Sequence, residues 1–552
     1  MAELIIERRA QTFPQLTEAQ IARVEHFGRR RPVRAGDYLF HQGDEETHMF
    51  VVVRGQLDIV QPKETGEELL VTHENGSFTG EANFLSGRRA LASGRMRNDG
   101  EVIDVPPAAL RQLIQTDAEL SEMMMRAFIL RRVTLITNHL GDAVLVGSRH
   151  SAATLRIQEF LTRNAHPYQY MDVERDEGAQ GLLDSFHVTV DEVPVLICRG
   201  TKLLKNPTNA EVADCLGFNY AIDTAAVRDV VVVGAGPAGL AAAVYAASEG
   251  LDVLVLEATA PGGQAGSSSK IENYLGFPTG ISGGALAGRA FTQAMKFGAN
   301  VAIARAATGL SCAGKPYEIS LSNGEKVRAK TVIIASGAQY RKLELPNLSG
   351  FENAGVYYGA TFVEAQLCQG EDVVVIGGGN SAGQAAVYLS GIAKHVHVLV
   401  RSGTLSDTMS RYLIRRIEES PNVSLRTWTE IEALEGNKQL ENLRWRNKKT
   451  RESEERPIRH VFCMMGAFPN TEWLNGCVAL DPKGFIKTGQ DLSREELEAS
   501  GWTLTRTPLL LETSRPGIFA VGDVRSGNIK RVAAAVGEGS ISIQLVHRVL
   551  AG

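Results

Sequence analysis

The stretch Asp229–Gly239, DVVVVGAGPAG, decides the fold of most of this chain. Four consecutive valines read as a strand buried on both faces, and they run directly into Gly234, Gly236 and Gly239 at GxGxxG spacing. The first glycine allows a tight turn, the second lets a phosphate approach the backbone, and the third lets the following helix, expected over Leu240–Ser248, pack on the strand. The next strand, LDVLVLE, ends on Glu257, which is placed to take a ribose hydroxyl. A lone GxGxxG is weak, since a glycine-rich turn with no ligand reads the same. Here strand, turn, helix, strand and acid follow in order, which makes a dinucleotide cradle. VVVIGGGNSA repeats the spacing at Gly377, Gly379 and Ala382. Two dinucleotides in one catalytic unit imply hydride traffic between them.

Around these cradles the composition is that of a globular protein. The chain has 552 residues, enough for about three or four domains. A net charge of -5 offers no basic face, so neither nucleic acid nor an anionic membrane is implied, and small-molecule partners are expected. The uncharged run Val230–Ala247 is long enough to mimic a membrane span, but its Gly and Pro pattern reads as strand, turn and helix. MAELIIERRAQ lacks the apolar core of a signal peptide, so a cytoplasmic protein is expected. Six scattered cysteines, with no CxxC and no metal-like cluster, read as small buried thiols in a reducing compartment.

The order of elements gives a multidomain chain: an all-β roll with helices over residues 1–140, a small α/β unit over 141–223, and a two-cradle α/β unit from 228 to the end. In the first, RAGDYLFHQGD, HMFVVVRGQLDIV, EELLVTH and GEVIDV are short strands broken by turn glycines. Together with GSFTGEANFLSGRRALA they resemble the cyclic-nucleotide-binding domain, and the resemblance implies Gly80 and Glu81 at the ribose and Arg89 at the cyclic phosphate. The cassette is at least one residue short between Gly87 and Arg89 and lacks the family's proline, which predicts weak binding at best. Leu120 to Leu140 reads as a long core or dimer-contact helix.

The second unit runs β-α-β-α-β-α and resembles a shortened glutaredoxin or thioredoxin fold, with Pro194 at the place of that family's cis-proline. Where the family's CxxC would lie the chain reads Gly147-Ser148-Arg149-His150-Ser151, so a docking or packing role is expected. Whether Cys198 and Cys215 pair is left open by the sequence.

Beyond the first cradle, PGGQAGSSSKIENYLGFPTGISGGAL, TVIIASGAQYRKLELP and PGIFAVGDVRSGNIKRVAAAVGEG are similar to the low-molecular-weight thioredoxin reductases, in family order and with the second cradle between the last two. The resemblance implies a homodimeric flavoprotein, with an FAD domain at 228–340 and 467–552 split by an NAD(P)H domain at 341–466. It implies FAD contacts at Gly234, Gly236, Pro237, Ala238, Gly239, Glu257, Gly262, Gly263, Gln264, Asn273, Val301, Ala335, Gly337, Gly522, Asp523, Arg531, Val532 and Ala533. The chemistry suits the group: amides for a flavin or ribityl chain, a carboxylate for a ribityl hydroxyl, and a helix start for charge on the reduced ring.

It further implies a pyridine nucleotide at Gly377, Gly379, Asn380, Ser381, Ala382 and Arg401. HVHVLVRSG ends its strand on Val400 and Arg401 rather than on Asp or Glu, which favours NADPH over NADH. Only one of the family's arginines is kept, although Arg411, Arg415 and Arg416 follow, so the preference is expected to be modest. The decisive departure lies just upstream. Where the family carries Cys-Ala-Thr-Cys, YYGATFVEAQLC puts Gly359 and Phe362, or Ala360 and Val363, at the thiol positions and leaves Cys368 alone. Two functions follow as expectations: an NAD(P)H-oxidising flavoenzyme that hands electrons directly to a quinone, oxygen or a small redox protein, or a nucleotide- or redox-responsive regulatory flavoprotein with little turnover.

Overall fold

The computed structural model describes residues 9–45, 47–63, 66–80, 89–137, 143–189, 192–198, 202–219, 221–268, 270–352, 354–360, 362–406, 409–437 and 439–551. Glu81 lies outside the described residues, as do the side chains of Phe362 and Val363.

The N-terminal part is a roll of two antiparallel sheets. Arg29–Val33, Gly100–Val105 and Met49–Arg54 form one, and Tyr38–Phe40, Ser93–Met96, Leu57–Lys63 and Gly66–His73 the other. The strands Arg29–Val33 and Ser93–Met96 were not legible in the patterning: the first is mostly charged and the second is SGRM. Helix Ala118–Thr137 buries Leu120, Met124, Ala127 and Phe128, with Phe128 edge-on to Phe78.

The middle part departs from the expected six elements by one. After Val195–Cys198 the chain doubles back as Lys202–Lys205 before helix Asn209–Cys215, giving the sheet Lys202–Lys205, Val195–Cys198, Ala143–Gly147, Gln169–Asp172. KLLK is too short and too exposed at its ends to show a period. The Val193–Pro194 peptide is cis, and a Cβ on Gly147 would meet Pro194 Cβ at 3.0 Å, so the proline sits against the start of the 147–151 loop.

In the two-cradle unit, Val227–Val233 lies between Val253–Glu257 and Lys326–Ile334, all parallel, with Asn300–Ile303 beyond and Ile518–Ala520 returning beside Lys326–Ile334. Helix Val532–Leu550 packs on helix Pro237–Ser248. The second sheet is parallel throughout: Val356–Tyr357, His460–Cys463, Asp372–Ile376, His395–Val400, Val423–Thr427. Chain passes between the two through one antiparallel pair, Ala338–Tyr340 with Ala467–Pro469. Val230–Ala247 is strand, turn and helix, and among the described residues no helix is long and apolar enough to cross a membrane. One apolar cluster runs from Phe128 through Phe160 and Phe218 to Ala246 and Ile543, so the roll, the middle part and the first cradle's helical face share a core.

Candidate functional site

The first cradle is built where three loops leave the ends of parallel strands. Gly234, at φ +106, ends the valine strand, and a Cβ there would fall 2.3 Å from the carbonyl oxygen of Ala335. A Cβ on Gly239 would lie 1.8 Å from the Gly234 carbonyl oxygen, so helix Pro237–Ser248 rests directly on the turn. Gly236 is different. It is the N-cap, no side chain caps the helix, and the nearest atom to a Cβ there is Gly263 Cα at 4.0 Å. Open space therefore lies between two glycine backbones in front of a helix N-terminus, which fits a pyrophosphate.

Glu257 ties the loops together. Its carboxylate accepts from Ala235 N at 2.7 Å, Thr259 N at 2.8 Å and Ala260 N at 3.1 Å, and the residue is 9% exposed. The sequence pointed to a ribose contact and missed this bracing role. Gln264 is likewise engaged, its Nε2 donating to Ala338 O at 2.5 Å, whereas Asn273 is exposed on the loop closed by the Ile271–Ile281 bridge. Gly337 carries on from Ala335 and its carbonyl takes Asn470 N, while Val301 pairs with Val255 on the edge strand. Across the space, Gly522 N donates to Glu538, which also holds Arg525 and Asn528. That carboxylate fixes the turn carrying Asp523, whose pKa burial raises. Helix Val532–Leu550 starts just after, with Arg531 as N-cap and Ala533 in its first turn. These residues fit FAD.

In the second cradle, a Cβ on Gly377 would lie 2.5 Å from Met464 O, and Gly379 caps helix Asn380–Ser390 without a side-chain cap. Ala382 is fully buried behind the turn. Asn380 Oδ1 accepts from Ser410 N at 2.7 Å, at the start of helix Arg411–Glu419. Ser381 lies near the Tyr340 hydroxyl at the crossover. Arg401 is exposed at its strand end. Arg416 is committed elsewhere: its two nitrogens meet Glu272 at 2.5 and 3.2 Å, a pair joining the two cradle domains that holds the Glu272 carboxyl below its ordinary range.

At the segment where a dithiol would sit, Tyr357 is buried and Tyr358 donates to Glu352 at 2.8 Å. Cys368 is buried, its thiol bonded to Ala365 O and pushed up to about 12 by burial; Cys463 is raised likewise. The other four cysteines correct the reading of isolated thiols. Cys198 and Cys215 form one disulfide pair, Cα atoms 6.6 Å apart, and Cys312 and Cys477 another, 5.9 Å apart.

Among the described residues no group of acidic, His and Cys side chains could hold a metal. In the 147–151 loop, Ser148 donates to Glu174 at 2.6 Å and Ser151 caps helix Ala152–Arg163. In the roll, Gly80 O accepts from Arg131 at 2.8 Å, and Arg89 pairs with Glu45. A Cβ on Gly217 would come within 2.8 Å of Arg89 Nε, so this arginine lies across the middle domain.

Residues 228–539 match the family model described as pyridine nucleotide-disulphide oxidoreductase. The chain belongs to that family. Residues 30–117 match the cyclic nucleotide-binding domain. The family member from Streptomyces coelicolor called thioredoxin reductase is 33% identical over 314 residues, 57% of this chain and 91% of that one. NADPH-dependent thioredoxin reductase 3 of Arabidopsis thaliana is 30% identical, over 64% of this chain and 65% of its own. A solved Lactococcus lactis thioredoxin reductase, described as in the FR conformation, matches with a TM-score of 0.52 at 28% identity, over 59% of this chain and 99% of that one. This pyridine nucleotide-disulphide oxidoreductase is thus a thioredoxin reductase-like flavoprotein carrying a cyclic nucleotide-binding domain, and FAD and NADPH are its cofactors.

Proposed function

We propose that the chain is an FAD-dependent NAD(P)H oxidoreductase that passes electrons to an acceptor without a protein dithiol. What supports this is the segment Tyr357–Cys368: Gly359 and Phe362, or Ala360 and Val363, fall at the thiol positions, and Cys368 is buried with its thiol pushed up to about 12. FAD, when bound, supplies the two-electron chemistry. The chain's own part is to hold and orient. The backbone of Gly234, Gly236, Gly239, Gly262 and Gly263 would leave room for the pyrophosphate, Glu257 would keep a lone pair for the adenosine ribose, Asp523 would receive a ribityl hydroxyl, and the first N–H groups of helix Val532–Leu550 would stabilise negative charge on the ring. Gly377, Gly379, Ser381 and Arg401 would seat NADPH. The acceptor is a small molecule or a small redox protein, and a cytoplasmic homodimer is the assembly the family likeness favours.

A second reading, a regulatory flavoprotein, is favoured by Arg89. The side chain proposed to read a cyclic phosphate touches the middle domain at Gly217, so a ligand there would act on a domain boundary.

The test is anaerobic titration of the purified protein with NADPH, following flavin absorption. One NADPH per flavin is expected. Uptake of a second equivalent by a reducible dithiol would overturn the proposal, and slow reduction accompanied by a cyclic-nucleotide-dependent change of shape would favour the second reading.

A further inference from the structure

The middle domain reaches the first cradle through the end of one helix. Helix Ala152–Arg163 finishes on Arg163, with Asn164 as its cap. Arg163 Nη2 donates to Gly263 O at 3.0 Å, while Nη1 meets Glu159 one turn back at 3.2 Å. Asn164, 3% exposed, donates through Nδ2 to Thr259 O at 3.1 Å and to Phe160 O at 2.9 Å. The two accepting carbonyls bracket residues 259–263, the loop between the Glu257 carboxylate and Gln264. The anchor itself is firm. Asn219 exchanges two hydrogen bonds with Ile303, at 2.8 and 2.7 Å, and Asp214 pairs with Arg305 at 2.6 Å. Phe160 and Phe218 join the apolar cluster that includes Ala246 and Ile543.

Gly262 and Gly263 lie at φ +100 and +53, conformations that glycine adopts readily and leaves readily. A loop of this kind binds a dianion only after its peptide planes are aligned, and the ordering entropy comes out of the binding free energy. Holding the Gly263 carbonyl against Arg163 fixes that plane. In a trans peptide the Gln264 N–H then points away from Arg163. The same contact sets a guanidinium, 20% exposed, at the edge of the space in front of Gly236.

We propose that Arg163 and Asn164 are positioning residues of the FAD site, and that the middle domain serves as a clamp that retains the cofactor by pre-ordering residues 259–263. The proposal rests on the first cradle being the FAD site. A thioredoxin-like domain whose own thiol positions are Ser148 and Ser151 thereby has a task that needs no thiol.

The test uses the full chain, stripped of flavin and titrated with FAD, with thermal unfolding of the flavin-free protein in parallel. Arg163→Met is expected to weaken FAD binding by about tenfold, the scale of one charge-assisted hydrogen bond, and to leave the flavin-free unfolding temperature nearly unchanged. Asn164→Ala is expected to act in the same direction and is decisive should Arg163→Met fail to fold. Arg163→Lys, which keeps the charge and a donor, should recover most of the affinity. FAD affinity equal to wild type in both Arg163→Met and Asn164→Ala would overturn the clamp, whether or not the unfolding temperature falls, since a domain contact alone would move only the latter. Wild-type protein that takes up no FAD would instead overturn the site.

Discussion

Gly236 and Gly239, three residues apart in the first cradle, behave oppositely in this structure. Gly236→Val should leave the flavin-free protein close to wild-type stability. The residue sits at φ -69, ψ -178, extended backbone that any side chain adopts, and the nearest neighbour to its Cβ is 4.0 Å away. A non-capping residue in place of glycine at an N-cap costs about 1 kcal/mol or less. The added isopropyl group nevertheless stands where phosphate oxygens would meet the helix N-terminus. Two lost charge-assisted hydrogen bonds, at about 1.5 to 3 kcal/mol each, put the loss of FAD affinity at about a hundredfold or more. Gly239→Ala does the reverse. Its methyl would lie 1.8 Å from the Gly234 carbonyl oxygen, so the helix must move off the turn, at about 1 to 3 kcal/mol of stability. The measurements are FAD titration and urea unfolding of flavin-free protein. Gly236→Val binding FAD within threefold of wild type, or Gly239→Ala unfolding at the wild-type urea midpoint, would refute the placement of the pyrophosphate or the close approach of the helix.

Arg401→Ala should erase an NADPH preference of about tenfold or less, since an exposed Arg–phosphate contact is worth at most about 1.5 kcal/mol; kcat/KM for NADPH and NADH decides it, and an unchanged ratio would move recognition elsewhere. Calorimetry with cyclic AMP and cyclic GMP should show weak binding or none, because Arg89 already pairs with Glu45 and lies on Gly217, and submicromolar affinity for either would contradict this. Insulin reduction with thioredoxin and NADPH should be negligible in the wild type, whereas robust activity that vanishes when every cysteine is changed to serine would reveal a working dithiol, with Cys198–Cys215 and Cys312–Cys477 the pairs to examine. His73, buried in the roll, is pushed down to about 3 by burial and then by the charge of Arg131. The unfolded chain therefore takes up this proton first as pH falls below about 6.5, and stability of the roll should drop by up to about 1.4 kcal/mol per pH unit toward pH 3; hydrogen exchange in strand Gly66–His73 that is equally protected at pH 7 and pH 4.5 would oppose this.

What could be read in advance and what could not divides along physical lines. The first cradle was legible because each of its glycines answers a local requirement: a turn at Gly234, space at Gly236, a close contact at Gly239. The second was legible for the same reason. Strand Lys202–Lys205 was not, since four residues at the sheet edge, exposed at both ends and half-buried between, carry no period. The disulfide pairs were not either: Cys312 and Cys477 are 165 residues apart, and only the fold brings them together. For charged residues it was the structural task that went unseen. Arg416 read as a candidate for the nucleotide phosphate or as a solvated helix face, yet it meets Glu272 across the domain boundary. Glu257 read as a ribose ligand, and the fold adds a task the pattern did not announce, since three backbone N–H groups use its carboxylate to hold the cradle's shape.

Arg163 shows why such residues escape. Beside Glu159 it has the i,i+4 spacing of an ordinary surface pair, and nothing in QEFLTRN distinguishes it from the other arginines of the chain. Its contact is with a backbone carbonyl 100 residues downstream, on a loop whose glycines have no side chains to announce it. A backbone acceptor leaves no mark in its own sequence, so a side chain that serves a glycine loop is visible only from the fold. The same holds for Asn164 on Thr259 and for Glu538 on Gly522. In this chain the glycines of the two cradles are written in motifs, and the side chains that hold those motifs in shape are supplied from other domains, other helices and other ends of the sequence. Mutations in the second group should therefore change cofactor affinity while leaving every recognisable motif intact, which is the behaviour the Arg163 and Asn164 variants are designed to reveal.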